Sequence, residues 1–240
     1  MMWVYVSSAV LLVFIFYIPL PFIWGRAIRI CQKKKAISQK TVYLTFDDGP
    51  GNRLTPQILK ILHEKGIKAT FFILSRNIPG REQVLKSVAE EGHRIASHSD
   101  SHFNAWKVMP WRSISDIQKG WRVLNAALSA KETTYLYRPP CGKLNLISLL
   151  FLGFHRTPVV FWTIDCLDTW PNDKRDVHYA ARRIRQDKGG IVLFHDFDRA
   201  TNALDDYVLE SLNAVIGTGL ELGLHFSTLD ELYKKGNYSK

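Results

Sequence analysis

The chain has 240 residues, 46% of them hydrophobic, which suffices for one sizeable core and fits a single α/β domain better than a string of small modules. Cys31, Cys141 and Cys166 cannot all pair, and their spacing matches neither a disulfide framework nor a zinc framework. The net charge of +10 suggests nucleic acid until it is located: Arg26, Arg29, Lys33, Lys34, Lys35 and Lys40 all fall in residues 1–46, which contain no Asp or Glu, so no nucleic-acid partner is expected.

The run from Met1 to Gly25 is uncharged and reads as a membrane segment between Trp3 and Trp24. At about 1.5 Å per residue it could cross a bilayer, with Pro19 and Pro21 kinking or ending the helix. A cleaved signal peptide is the alternative, but the charged n-region and the small-residue cleavage site are missing. The basic block that follows suits anionic lipid headgroups, so membrane lipids are expected to contact residues 1–35. The organisation expected is an anchor at 1–25, a basic juxtamembrane linker at 26–39 and a catalytic domain at 40–236. The positive-inside rule and the unpaired thiols both lean towards a cytoplasmic face, although the side stays open.

Strand and helix patterns then alternate with short turns, which argues for a parallel α/β architecture. Residues 41–46 form the first strand. Thr55 and Pro56 open a helix as N-cap and first residue, and Gly66 ends it. Strands are expected at 69–74, 93–97, 135–137, 159–164, 191–194 and 224–227. Helices are expected at 81–91, 113–130 (capped by Ser113), 144–152, 174–187 and 204–217. About seven strand–helix units result. They can close into a distorted (β/α) barrel or stay open as a doubly wound sheet.

The polar clusters sort to the C-terminal ends of the expected strands, where parallel α/β folds assemble their sites. Asp47 and Asp48 end the first strand, and His98 and His102 follow the third. Arg138, Asp165 and the pair His195–Asp196 end three more. Each has a plain alternative: a solvated turn for the Asp pair, structural imidazoles for the His pair, a rigid turn for Arg138-Pro139-Pro140 and a strand-end cap for Asp165. Two histidines and one carboxylate nevertheless make a metal donor set that leaves coordination positions open. In the loop at 103–112, Trp106, Met109 and Trp111 could stack on sugar rings, touch lipid or simply pack.

With these motifs in order, the chain resembles the polysaccharide deacetylases of carbohydrate esterase family 4, the NodB-homology domain, over residues 40–235. Thr45-Phe46-Asp47-Asp48-Gly49-Pro50 resembles the first family motif, His98-Ser99-Asp100-Ser101-His102 the second, Arg138-Pro139-Pro140 the third and Leu193-Phe194-His195 the fifth. The resemblance implies a NodB-type barrel. It also implies a divalent metal, zinc in most such enzymes, on Asp48, His98 and His102. Asp47 would be the general base, oriented by Arg138, and His195 the general acid, with Asp165 beside it. The backbone N–H of Cys141 would stabilise the oxyanion, and Leu193 and Trp170 would wall the pocket for the acyl methyl.

Two departures stand out. Cys141 replaces the usual aromatic residue of the third motif. The segment from Asp165 to Trp170 is one residue longer than the family's Asp-x-x-Asp-Trp. The activity implied is removal of an N-acyl group, acetyl above all, from an amino-sugar glycan at the membrane. The alternatives are a deacylase of a lipid-linked saccharide at the cytoplasmic face and a non-catalytic glycan-binding protein on the same fold.

Overall fold

The computed structural model describes residues 16–128 and 136–233. Helix α1 (Pro19–Ser38) precedes strand β1 (Thr41–Asp47). Then follow α2 (Leu54–Glu64), β2 (Thr70–Ile73), α3 (Glu82–Glu90), β3 (Arg94–Ser97), α4 (Pro110–Leu128) and α5 (Leu146–Phe154). The chain continues through β4 (Ile164–Asp165), α6 (Tyr179–Asp187), β5 (Gly190–His195), α7 (Asp205–Glu221), β6 (His225–Phe226) and α8 (Leu229–Tyr233).

All strand pairs are parallel, in the order β3-β2-β1-β5-β4, with β6 on the first residues of β1. Two single bridges turn this sheet into a ring. Ser97 pairs with Tyr137, and Tyr137 pairs with Val159, whose segment runs on into β4. Of the two architectures the sequence allowed, the distorted barrel is the one formed. The expected strands at 135–137 and 159–164 contract to these bridges and to β4.

The two-residue period of β1 divides the core. Val42, Leu44 and Phe46 face the outer helices, where Phe46 stacks on Phe71 and Phe194 with ring centroids 4.8 and 5.5 Å apart. Tyr43 faces the barrel axis together with Phe72, Ala96, Val160 and Ile191. Ala36 of α1 and Leu229 and Leu232 of α8 belong to the same inner cluster and close the lower end. Residues Thr45 and Asp47, on the inward face of β1, therefore point up the axis towards the other end.

The N-terminal region departs from expectation. The helical residues 16–17 break off just before Pro19, as expected, but Pro19 and Pro21 also start a new helix, as their missing N–H groups allow in a first turn. Residues 26–38 of the segment expected as a linker at 26–39 belong to that helix, which packs on the barrel. Gly25, Gln32 and Ala36 are buried along one helical face. Gln32 Nε2 donates to Val159 O at 2.8 Å and to Tyr233 Oη at 2.6 Å, while its Oε1 accepts from Phe161 N at 3.0 Å. Lys33, expected at lipid headgroups, pairs with Asp187 at 2.8 Å. Among the described residues no helix is long and apolar enough to cross a membrane. Most of the anchor expected at 1–25 lies outside them, as do the end of the helix expected to reach residue 130, Tyr135 of one expected strand and residues 234–236.

Helix starts also differ: α6 begins at Tyr179, five residues after the expected 174, and two others lose their expected caps. Helix α2 begins after Arg53 rather than at a Thr55 cap, and α4 begins at Pro110, three residues before Ser113. Both hydroxyls are used elsewhere: Thr55 bonds Asp196, and Ser113 accepts from Asn145 Nδ2 at 3.3 Å.

Candidate active site

The upper end of the barrel gathers the inward-facing ends of several strands. Leu193 and His195 continue the inward face of β5 above Ile191, and Asp165 points inward beyond the outward Ile164 of β4. Together with Asp47, Asp48, His98 and His102 they line a cavity of about 380 Å³, completed by Cys141, Trp162, Thr169 and Trp170.

Arg138 is wholly buried and lies over the Phe72 ring, 4.1 Å from its centroid. Its Nη1 donates to Asp47 Oδ1 at 2.7 Å and to Thr45 Oγ1 at 2.8 Å. The Thr45 hydroxyl in turn donates to Val192 O. Burial pushes the Asp47 carboxyl up and the Arg138 guanidinium down, and each partner draws the other back towards its charged form.

Asp48 would point away from Asp47 if the strand continued. It sits instead at φ +70°, a left-handed conformation that Asp tolerates better than most residues, and this turns the second carboxylate into the same cavity. Asn77 Nδ2 holds the Asp48 carbonyl at 2.7 Å. The next residue must be glycine, because a Cβ at Gly49 would lie 2.4 Å from both carboxylate oxygens of Asp196. Asp196 is fully buried, accepts from the Thr55 hydroxyl at 2.6 Å and donates its own N–H to Asp47 O at 3.1 Å. Burial, with Asp48 and Asp47 adding to it against the Thr55 bond, pushes its carboxyl up to about 7. It supports the Asp-Asp turn from beneath.

His98 Nδ1 lies 2.8 Å from Arg138 O, an acceptor that can only receive a proton, so Nδ1 carries the hydrogen and the Nε2 lone pair is free. Burial holds this imidazole neutral by pushing it down to about 3. Its Nε2 is 3.4 Å from Asp48 Oδ1, and His102 Nε2 is 3.5 Å from the same oxygen. Asp48 Oδ1 is buried without a hydrogen-bond partner, and the three ligand atoms lie within 4.8 Å of one another. An orphaned carboxylate oxygen facing two imidazole nitrogens is a donor set that can hold a divalent cation. Asp48, His98 and His102 thus fit the expected metal.

On the opposite wall His195 has a different partner from the one expected. Its Nδ1 is 2.8 Å from Asp168 Oδ1, and its backbone N–H donates to Asp168 Oδ2, also at 2.8 Å. Asp165 instead accepts from Leu167 N at 2.8 Å and remains a cavity wall. Leu167 turns the chain back at φ +67° between the two carboxylates, and Asp168 rather than Asp165 comes beneath the imidazole. Burial alone would lower the His195 pKa, but Asp168 pushes it up to about 9. Asp168, buried as well, is held below the usual carboxylate range by His195 and Arg199.

Cys141, Leu193 and Trp170 line the cavity as expected. Cys141 holds φ +55°, and burial pushes its thiol up, away from a nucleophilic thiolate. Trp162 was missed because it lies between the bridge at Val159 and β4, in a stretch without a motif. Trp111 and Met109 are exposed, whereas Trp106 is half-buried with its Nε1 donating to Leu144 O at 2.8 Å.

A family model described as polysaccharide deacetylase matches residues 34–152. The peptidoglycan-N-acetylglucosamine deacetylase of Listeria monocytogenes is 30% identical over 207 residues, 86% of this chain and 42% of that protein. The peptidoglycan-N-acetylmuramic acid deacetylase of Bacillus subtilis is 30% identical over 181 residues, covering 72% and 66%. The chain therefore spans less than half the length of the Listeria relative. The crystal structure of the Bc1960 peptidoglycan N-acetylglucosamine deacetylase superposes with a TM-score of 0.73 at 27% identity, over 82% of this chain and 90% of that one. Motif order from Asp47 to His195, barrel and sequence agree, and the chain belongs to the polysaccharide deacetylase family.

Proposed function

We propose that the protein hydrolyses the N-acetyl amide of an amino-sugar glycan, releasing acetate and leaving a free amine. The observation that carries this reading is the pairing of a base and an acid across one cavity. Asp47 is held by Arg138 beside the Asp48–His98–His102 set, and His195 is held in its charged form by Asp168 on the facing wall.

A divalent ion on Asp48, His98 and His102, zinc in this reading, would supply Lewis-acid polarisation of the acyl oxygen and acidify a water. Asp47 takes the proton of the attacking water, and Arg138 keeps its carboxylate aimed and ionised for that task. The backbone N–H of Cys141 is assigned to the developing oxyanion. His195 gives its Nε2 proton to the departing nitrogen as the C–N bond breaks, while Asp168 fixes the other ring N–H and balances the charge. Leu193 and Trp170 enclose the acetyl methyl. No covalent intermediate with the protein is needed.

The names of the Listeria and Bacillus relatives support peptidoglycan sugars as the glycan. The uncharged run of residues 1–25, with Phe16, Leu20, Phe22 and Ile23 exposed around the start of α1, supports placement at a membrane, where a lipid-linked saccharide is the second substrate. The test is acetate release from N-acetylated peptidoglycan fragments by the zinc-loaded chain, with Asp47→Asn and His195→Gln as controls. Release that survives both substitutions, or none from any acetylated glycan while the fragments still bind, overturns the reading; the second outcome would make the protein a glycan-binding module.

A further inference from the structure

A second cavity, of about 350 Å³, adjoins the active site and shares Cys141 and Trp162 with it. Its far wall is α1, whose residues before 34 precede the segment matched by the family model. Three cations converge on this groove. Arg29 lies over the rings of Phe161 and Trp162, 5.5 and 5.0 Å from their centroids. Lys143 lies over Trp106 at 4.1 Å, and Arg26 over Phe22 at 5.8 Å.

Among the described residues none of the three has a carboxylate in ion-pair range; Arg26 is exposed, but Arg29 and Lys143 are half-buried, and most other buried or half-buried cations of this protein have one. Arg29 Nε is buried without a hydrogen-bond partner. Burial and then the neighbouring cations Arg138 and Arg26 press its pKa down, with only Asp165 pulling the other way, so the guanidinium is held in an unfavourable place that a further anion would relieve. The position is fixed by close packing: a Cβ at Gly142 would come within 2.9 Å of the Trp162 ring and 3.7 Å of Arg29 Nη2.

Aromatic faces stack on pyranose rings, and a guanidinium recognises carboxylate and phosphate through paired N–H donors. We propose that this groove is the subsite for a negatively charged sugar adjoining the acetamido sugar, its carboxylate or phosphate held by Arg26, Arg29 and Lys143 and its ring stacked on Trp106 or Trp162. The proposal rests on the deacetylase reading, and it narrows the substrate to acidic glycans. Neutral chitin-type chains would leave the three cations without a counterion.

The test compares three saccharides of equal length: a neutral N-acetylglucosamine oligomer, one carrying a muramic-acid carboxylate, and one ending in a diphosphate. Binding to the full chain is followed by Trp fluorescence and calorimetry, so that it is read without turnover. Either anionic probe should bind at least tenfold more tightly than the neutral one at low salt, and the advantage should collapse in 0.5 M salt. Preference for the carboxylate points to an acidic wall sugar, and preference for the diphosphate to a lipid-linked precursor. In Arg29→Gln, and separately in the more exposed pair Arg26→Gln/Lys143→Gln, the ratio should fall towards one. Equal affinity for all three probes, or a preference that survives both variants, overturns the proposal. Acetate release by the same preparations reports on the deacetylase reading separately, because binding and turnover are measured on different signals.

Discussion

His195 and Asp168 are joined twice, side chain to side chain through Nδ1 and Oδ1 and backbone N–H to Oδ2, both at 2.8 Å. The double contact fixes the imidazole's orientation as well as its charge. With a folded pKa of about 9, above the ordinary value near 6.5, His195 is protonated throughout the neutral range. The raised value stabilises the fold fully below pH 6.5, and this contribution is lost as pH rises through about 9. Turnover should fall over the same alkaline window as the acid loses its proton. Asp168→Asn should move the alkaline limb of the kcat profile below pH 8 and lower kcat by roughly 10²-fold. Asp165→Asn should leave that limb in place. A profile that shifts with Asp165 and not with Asp168 would reverse the assignment.

Arg138 and Asp47 form a buried ion pair, so removing one partner strands the other. Arg138→Met should cost roughly 3–5 kcal/mol in denaturant unfolding. The double change Arg138→Met/Asp47→Asn should recover much of that loss without recovering acetate release. Such a split would separate the pair's effect on the fold from Asp47's proton transfer.

Stripping the metal with a chelator should abolish acetate release, and zinc should restore it. One equivalent of zinc should bind the stripped chain, whereas Asp48→Ala and His102→Ala should bind little. Free zinc at a hundred times its Kd should stabilise the fold by about 2.7 kcal/mol, visible as a raised Tm in the wild type and absent in the variants. A Tm rise that persists in Asp48→Ala would place the ion elsewhere.

Gly49 approaches Asp196 so closely that a methyl group has no room. Gly49→Ala should destabilise the fold by about 1–3 kcal/mol and weaken zinc binding, because relief requires moving the turn that carries Asp48. Thr55→Val removes the bond to Asp196 without adding bulk, and should cost a similar amount through the buried carboxyl it leaves short of a partner. Zinc titration of both variants against thermal unfolding separates the two effects.

The site was legible wherever strand alternation carried it. Tyr43, Thr45 and Asp47 share one face of β1, and Ile191, Leu193 and His195 share one face of β5, so motif residues at strand ends had to converge. What was hidden depended on backbone turns that leave no periodic trace. The left-handed residue Leu167 gives His195 its partner Asp168 instead of Asp165, and the same conformation at Asp48 aims two successive carboxylates into one cavity. Thr55 looked like a helix cap because its other partner, Asp196, lies 141 residues away. In α1 the spacing of Gly25, Gln32 and Ala36 was helical all along, but the prolines before it and the lysines around it suggested a tether.

That packing of α1 sets a geometric boundary on how the protein can be used or cut. With Gln32 tied to Val159 and Tyr233, and Ala36 in the barrel floor, removal of residues 1–39 would take away structure and not merely an attachment. A shortened chain that keeps the barrel intact has to begin before Pro19. The 20-residue helix α1, about 30 Å long, is thus part of the barrel's own body, and the groove it walls keeps its shape only while that helix stays docked.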